Sequence, residues 1–269
     1  GEVLCYIIKK MRPHIRIVIA FVGPFKPSIL KKIMVSYIYR KMDAFVFISN
    51  YVKLEKCCQF PHLNKKLTKI IFNGTKPKQE TSESFPTLHN TAILDTAGLV
   101  DWKNINILIE AMNIIINIRK HKNIFLYVAG DGPDRESLNL KISEYHLENN
   151  INLLGYQKNI VGLLNKCDIF VHPAYKEGFG IAVIEAMMAG KPTIVANAGA
   201  LPELVEDQES GLIVEPFDAN QWADSIIQLS QDKEKANLLS ENAKTRAHNK
   251  FSTEKFIQNY DDFYHEILL

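Results

Sequence analysis

Apolar residues follow two alternating rhythms along this chain. Short unbroken runs at residues 15–22, 44–49, 70–72, 91–97, 124–129, 151–154, 168–172, 192–196 and 212–214 have the length of buried strands. Between them lie stretches of helical spacing at 29–40, 133–147, 160–165 and 180–189. Another such stretch sets Ile105, Leu108, Met112 and Ile115 on one face. Two more helices are expected to close the chain. The last starts near Ser252, with Ser252 and Thr253 as capping residues and Phe256, Tyr260, Phe263 and Ile267 in one apolar stripe. Strand and helix in regular turn predict an α/β fold with parallel sheets.

The rhythm breaks once. Residues 75–90 (TKPKQETSESFPTLHN) are polar, hold two prolines and show no period, which predicts a linker. The series after it is long enough for a Rossmann-like domain of its own, at 80–249. Residues 1–79 offer only two or three strands, fewer than a doubly wound domain needs. The N-terminal domain is therefore expected to be incomplete at its front.

Composition fits this picture: 46% of the 269 residues are hydrophobic and 23% charged. No window reaches the roughly 18 consecutive apolar residues of a membrane span. The first residues carry no signal-peptide pattern. Of four cysteines, Cys57 and Cys58 are adjacent, Cys5 and Cys167 stand alone, and no CxxC pair exists. That pattern argues against a disulfide framework or a zinc site and points to reduced thiols in a cytoplasmic protein.

The net charge of +2 hides a division. Residues 1–79 hold 16 Lys/Arg against 3 Asp/Glu, and the other 190 residues hold 16 against 27. The basic part could attract anionic lipid headgroups, making the protein peripheral on the inner membrane face, or a phosphorylated acceptor; a solvated lysine-rich surface explains it equally well. Nucleic acid is not expected as a partner, because the basic part lacks interleaved aromatics at readable spacing.

Ligands of an open α/β sheet bind where strand ends lead into helix N-termini. The richest such junction is HPAYKEGFGIAVIEAMMAGKPTIVANAGALPE, residues 172–203. Gly178 and Gly180, on either side of Phe179, let the backbone approach a ligand. The N–H groups of Gly180 and Ile181, at the positive end of a helix dipole, suit a diphosphate. Glu177 before this cradle and Glu185 within the helix are wrong for an anion but right for sugar and ribose hydroxyls, which donate to carboxylates. Taken singly, Glu185 reads as a surface helix carboxylate and Glu177 as an ordinary loop residue. GDGP at 130–133 reads either as a ligand loop or as a turn with Pro133 at the first helical position. His172 reads as a packed residue, and Tyr156, after Gly155 at a strand end, either borders a base or packs.

Taken together, these residues resemble glycosyltransferase family 4, of the GT-B fold. The resemblance rests on Glu177, seven residues and Glu185, an E-x7-E motif within EGFGIAVIEAMMAGKPTIV. It extends to Gly199-Ala200-Leu201-Pro202-Glu203, Gly211-Leu212-Ile213-Val214, Ile71-Phe72-Asn73-Gly74, Lys103 in GLVDWKN, and Gly130-Asp131-Gly132-Pro133, in the family's order. It implies two Rossmann-like domains: a partial acceptor-side one at 1–79 and a nucleotide-sugar-binding one at 80–249. Residues 250–269 would form a helix crossing back to the first.

By that resemblance Glu177 contacts the donor sugar, Glu185 the ribose and Lys103 the leaving diphosphate, with Gly155, Tyr156, Gly178, Phe179, Gly180 and Ile181 lining the donor site. The activity implied is retaining transfer of a sugar from a UDP- or GDP-type nucleotide sugar to a glycan or lipid-linked acceptor hydroxyl. No metal or other cofactor is expected, and no Asp-x-Asp motif is present. Two positions depart from the pattern. Gly98 stands where family members commonly carry an Arg that shares the diphosphate, and Val22 stands where many carry a His near the transferred sugar. A non-catalytic nucleotide-sugar-binding partner and a nucleotide-sugar epimerase stay open as alternatives.

Overall fold

A computed structural model of the protein describes residues 1–23, 27–76 and 91–268. Most of the expected linker therefore lies outside the described residues. The chain forms two compact units, Gly1–Gly74 with Phe251–Leu269, and Thr75–Lys250.

The first unit holds α1 (Glu2–Met11), β1 (Val18–Phe21), α2 (Ile29–Lys41), β2 (Ala44–Phe47), α3 (Asn50–Gln59) and β3 (Leu67–Ile70). Its three strands are parallel and ordered β1-β2-β3. The two-residue period of β2 divides the core. Phe45 and Phe47 face an aromatic cluster with Phe21, Tyr39 and Phe60. Ala44 and Val46 face the other way, with Ile71 and the fully buried Phe263, against which Val18, Phe256, Tyr260 and Ile267 pack.

Three features of this unit differ from expectation. The third strand runs over Leu67–Ile70 rather than 70–72; it is an edge strand with alternating exposure, so it shows no apolar run. Ser49 does not extend β2. Its hydroxyl accepts the Val52 N–H at 3.1 Å and so caps α3. Neither α3 nor α1 stood out in the sequence. Gly74 has a packing reason: a Cβ there would lie 2.6 Å from the Phe256 Cβ and 2.9 Å from the Ser252 carbonyl oxygen.

The second unit continues with β4 (Thr91–Asp95), α4 (Ile105–Asn113), β5 (Ile124–Ala129), α5 (Arg135–Glu144), β6 (Ile151–Gly155), α6 (Ile160–Lys166) and β7 (Ile169–His172). After these come α7 (Ile181–Met188), β8 (Thr193–Ala196), α8 (Leu201–Leu204), β9 (Leu212–Val214), α9 (Ala219–Gln231) and α10 (Lys233–Phe251). Its six strands are all parallel, in the order β6-β5-β4-β7-β8-β9. The chain builds outward from β4 to β6, then returns to the other side of β4 with β7. The strand order therefore reverses between β4 and β7, the place where open α/β sheets leave a crevice at their carboxyl ends.

The stripe of Ile105, Leu108, Met112 and Ile115 is buried as expected, with a π-helical turn at Ile114–Ile118 ending that helix. Pro133 is not helical, since α5 starts at Arg135. Three helices close the chain rather than two: α9, α10 and α11 (Thr253–Leu268). Only Asp232 separates α9 from α10, and its carboxylate accepts the Lys235 N–H at 2.9 Å, so one long polar stretch becomes two helices. No helix among the described residues is long and apolar enough to cross a membrane. All four cysteines are free thiols.

Candidate active site

The last residues of β4 and β7, Asp95 and His172, sit on adjacent strands at the reversal of strand order. Both are buried, at 0% and 1% exposure. His172 Nδ1 lies 3.0 Å from Asp95 Oδ1, and on the other side of the ring Nε2 lies 3.4 Å from Glu177 Oε2. Glu177 Oε2 also accepts from the Lys103 ammonium at 2.5 Å. Four side chains from two strand ends and their following loops thus form one line, Asp95–His172–Glu177–Lys103. It runs from the buried sheet to half-buried Glu177 and Lys103.

Local backbone chemistry places Lys103. Residues Asp101–Lys103 form a 3₁₀ turn, and Asn104 follows in the left-handed conformation at φ +56°, which asparagine tolerates. The Asn104 amide donates to the carbonyls of Pro216, at 2.7 Å, and Pro173, at 3.4 Å. Tyr175 N donates to the Trp102 carbonyl at 3.1 Å, and the Tyr175 hydroxyl donates to Asp101. These bonds tie the loop after β4 to the loop after β7. That tie brings Lys103 to Glu177 across 74 positions of sequence.

The segment 199–204 holds Glu177 from behind. Ala200 N donates to the Glu177 carbonyl at 2.9 Å. Gly199, at φ +58°, approaches so closely that a Cβ would lie 2.4 Å from that oxygen. Gly180, at φ +105°, is the N-cap of α7 where a side chain would meet Leu201 and Leu204, and as a glycine it offers the helix no side-chain cap. Gly130 and Gly132 serve a similar purpose: a Cβ at either would strike the carbonyl of Ala97 or of Leu99, at 2.0 and 2.3 Å. The GDGP segment packs its backbone on the loop after β4, with Leu99 N donating to the Asp131 carbonyl.

The other expected site residues divide. Glu185 is half-buried on α7, Ile181 is exposed at its start, Phe179 and Gly180 are buried, and Gly178 is half-buried. Gly155, at φ +71°, and the exposed Tyr156 stand at the end of the outer strand β6, with β5 and β4 between them and β7. Asp95 and the role of His172 were missed. The available signal was an acidic residue closing an apolar strand, TAILD, where a buried charge needs a partner.

Charge decides the protonation of the line. Burial alone would push the Glu177 carboxyl up, but the bond from His172 and the ammonium of Lys103 hold it down to about 2. Burial would push the His172 imidazole down, yet Asp95 and Glu177 on its two sides raise it against the opposing charge of Lys103. Two carboxylates on opposite sides of the ring favour its protonated form, in which both nitrogens donate. The arrangement presents a fixed carboxylate and a cation on a flexible stem near an uncapped helix N-terminus. Such groups accept hydroxyl hydrogen bonds and neutralise phosphate charge. Among the described residues no three His, Cys, Asp or Glu side chains gather as a metal-ligand set.

Residues 80–246 match the family model for glycosyl transferases group 1. The chain belongs to that family. Its curated relatives include N-acetyl-alpha-D-glucosaminyl L-malate synthase of Bacillus anthracis, 32% identical over 53% of this chain and 38% of the relative. Another is the UDP-Gal:alpha-D-GlcNAc-diphosphoundecaprenol alpha-1,3-galactosyltransferase of Escherichia coli, 26% identical over 89% of this chain and 58% of the relative. The chain therefore spans less than two thirds of the length of these curated group 1 relatives. Anabaena HepE, solved in complex with UDP, superposes with a TM-score of 0.86 at 21% identity over 98% of this chain and 76% of that one. The fold is the GT-B type of α/β architecture.

Proposed function

We propose that this chain supplies the donor-binding machinery of a retaining glycosyltransferase of family 4. It moves a sugar from a UDP- or GDP-type donor to an acceptor hydroxyl in glycan, glycolipid or polysaccharide synthesis. The observation that carries the reading is the contact of Lys103 with Glu177 at the reversal of strand order, beside the uncapped start of α7. In the reaction the bond from the anomeric carbon to the diphosphate breaks and the acceptor oxygen bonds to the same face. The acceptor proton leaves with the nucleoside diphosphate. Lys103 and the first N–H groups of α7 stabilise the charge that builds on the leaving group, so the chemistry is assigned to protein groups without a metal. Glu177 holds the sugar hydroxyls, Glu185 the ribose, and Gly155 with Tyr156 the base.

We further propose that the acceptor is met at an anionic membrane surface. Supporting this are the excess of Lys/Arg in residues 1–79 and the exposed apolar side chains of α1 and α2, such as Leu4, Met11, Ile29 and Leu30. A specific observation favours one second reading. Gly98 and Val22 are exposed and offer no charge or imidazole, which suits a nucleotide-sugar-binding partner without turnover.

The test is calorimetric titration with UDP and GDP of the wild type and of Lys103→Met and Glu185→Ala, followed by transfer assays with radiolabelled donors. Binding of one nucleotide, weakened about tenfold or more in each variant, is expected. Wild-type affinity in both variants sinks the site assignment, and binding without transfer or donor hydrolysis selects the second reading.

A further inference from the structure

We propose that Asp95 and His172 are a buried positioning pair that keeps Glu177 aligned and ionised while Lys103 leaves it for the diphosphate of a bound nucleotide sugar. The inference deepens the function proposed above and rests on it for the identity of the ligand.

Geometry carries the pair. His172 is wedged between two carboxylates, with ring nitrogens 3.0 Å from Asp95 and 3.4 Å from Glu177. Asp95 is fully buried, and its second oxygen, Oδ2, has no hydrogen-bond partner among the described residues. A buried carboxylate left half-satisfied is costly, and replacing such groups by apolar ones of similar size is often neutral or stabilising. His172 stacks on Phe170, but an apolar ring would do that as well, whereas only the charged pair places a charge next to Glu177. The groups facing the imidazole are Asp95 from β4, Glu177 from the loop after β7, and Lys103 from the turn before α4.

The chemical logic concerns charge balance during binding. As observed, the Lys103 ammonium is spent on Glu177, 2.5 Å away. A diphosphate competes for that ammonium. Once Lys103 turns away, Glu177 would face a second anion with no compensating charge, and its carboxylate would tend to protonate or swing out. The imidazolium behind it prevents both. Asp95 in turn holds the proton on Nδ1, so that Nε2–H stays aimed at Glu177.

Two measurements test the pair. Nitrogen-15 NMR of the imidazole should show both His172 nitrogens protonated at pH 7.5. The titration midpoint should fall by at least one unit in Glu177→Gln and in Asp95→Asn. A neutral ring at pH 6, or a midpoint unmoved in both variants, overturns the proposal. The second measurement compares dissociation constants for UDP and for UDP-glucose, UDP-galactose, UDP-N-acetylglucosamine and GDP-mannose with GDP.

In His172→Asn and Asp95→Asn, the gain in affinity from the sugar should fall about tenfold, while the bare nucleotide binds within about twofold of wild type. Equal weakening of sugar-bearing and bare nucleotides marks a merely structural role and overturns the positioning claim. Circular dichroism melts identify a variant that fails to fold, in which case the wild-type imidazole signals and Glu177→Gln decide. If the wild type binds none of these nucleotides but keeps the doubly protonated ring, the proposed function fails and the hold on Glu177 stands.

Discussion

The two units are built by the same rules and yet differ in what they keep inside. Both lay parallel strands under helices, and both bury a central strand completely, β2 in one and β7 in the other. Among the described residues of the first unit the strands lie side by side in chain order, with no reversal to open a crevice, and the interior is aromatic and aliphatic. Its buried charge, Lys56, lies over the Phe21 ring at 5.6 Å, with its ammonium pushed toward neutrality by burial. In the second unit the order reverses between β4 and β7, and Asp95, His172 and Asn104, three of its buried polar residues, collect there. Chemistry follows the reversal rather than the sheet.

The largest effect expected from this contrast is in the first unit. Phe263 is fully buried against Ala44, Val46 and Ile71, so Phe263→Ala should cost about 3–5 kcal/mol in urea unfolding. UDP binding, proposed for the second unit, should survive at denaturant concentrations that leave that unit folded. Simultaneous loss of both would show that the division into units has no energetic counterpart.

Gly199→Ala should act in the opposite sense. A methyl group 2.4 Å from the Glu177 carbonyl oxygen, at a φ of +58°, should destabilise the second unit by about 2–4 kcal/mol. It should also abolish nucleotide binding by displacing Glu177, as thermal melts and calorimetry would show. Gly98→Ala is the matched control. Its Cβ meets nothing closer than the Asp131 carbonyl oxygen at 3.6 Å, so stability should stay within about 0.5 kcal/mol.

These glycines illustrate what was legible beforehand. The order of elements, the buried stripe of α4 and the facing of Phe256, Tyr260, Phe263 and Ile267 were written in apolar periods, because burial sets those periods directly. The resemblance implied only that Glu177 and Lys103 serve the same donor; their direct contact was not foreseen, since nothing local joins residues 74 positions apart. Asp95 and His172 were harder still. A lone Asp in TAILD and a His before a proline have no period, and their meaning comes only from being neighbours on adjacent strands. The edge strand Leu67–Ile70 was misplaced for the converse reason: half its side chains face outward, so the run that marks a buried strand is missing.

Acid should separate the units more gently. Glu177 has a folded value of about 2 against an ordinary 4.5. A depressed carboxylate stabilises the fold above the unfolded value, and that contribution is lost as pH falls from about 4.5 to about 2. The limit is about 3 kcal/mol, reduced by the coupling to His172 and Lys103. His172 has the opposite sign: raised above its ordinary 6.5, it contributes fully below that pH and loses its share as pH rises through the folded value. Asp43 in the first unit is also lowered by its bonds to Lys9 and the Ile17 N–H, which outweigh burial, so acid alone weakens both units. Glu177→Gln distinguishes them. Its melting curve should lose part of the acid limb assigned to the second unit and keep that of the first; an unchanged acid limb there would show that Glu177 is not held as described.

The smallest effect sharpens the contrast at the mouth of the site. Gly98 is exposed in the loop after β4, where the resembling family commonly has an Arg, and a Cβ there makes only an ordinary contact with the Asp131 carbonyl oxygen at 3.6 Å. Gly98→Arg should therefore fold as well as the wild type and add a guanidinium to the diphosphate site. A charge-assisted bond in a partly solvated cleft contributes about 1–1.5 kcal/mol, or roughly tenfold in affinity. The gain should appear for UDP and vanish for uridine, which lacks phosphate, and it should shrink as salt rises. An equal gain for uridine would mean that the Arg acts on the base or the fold. No gain at all would mean that the diphosphate does not pass Gly98, and the proposed orientation of the nucleotide between Lys103 and Glu185 would have to be reversed.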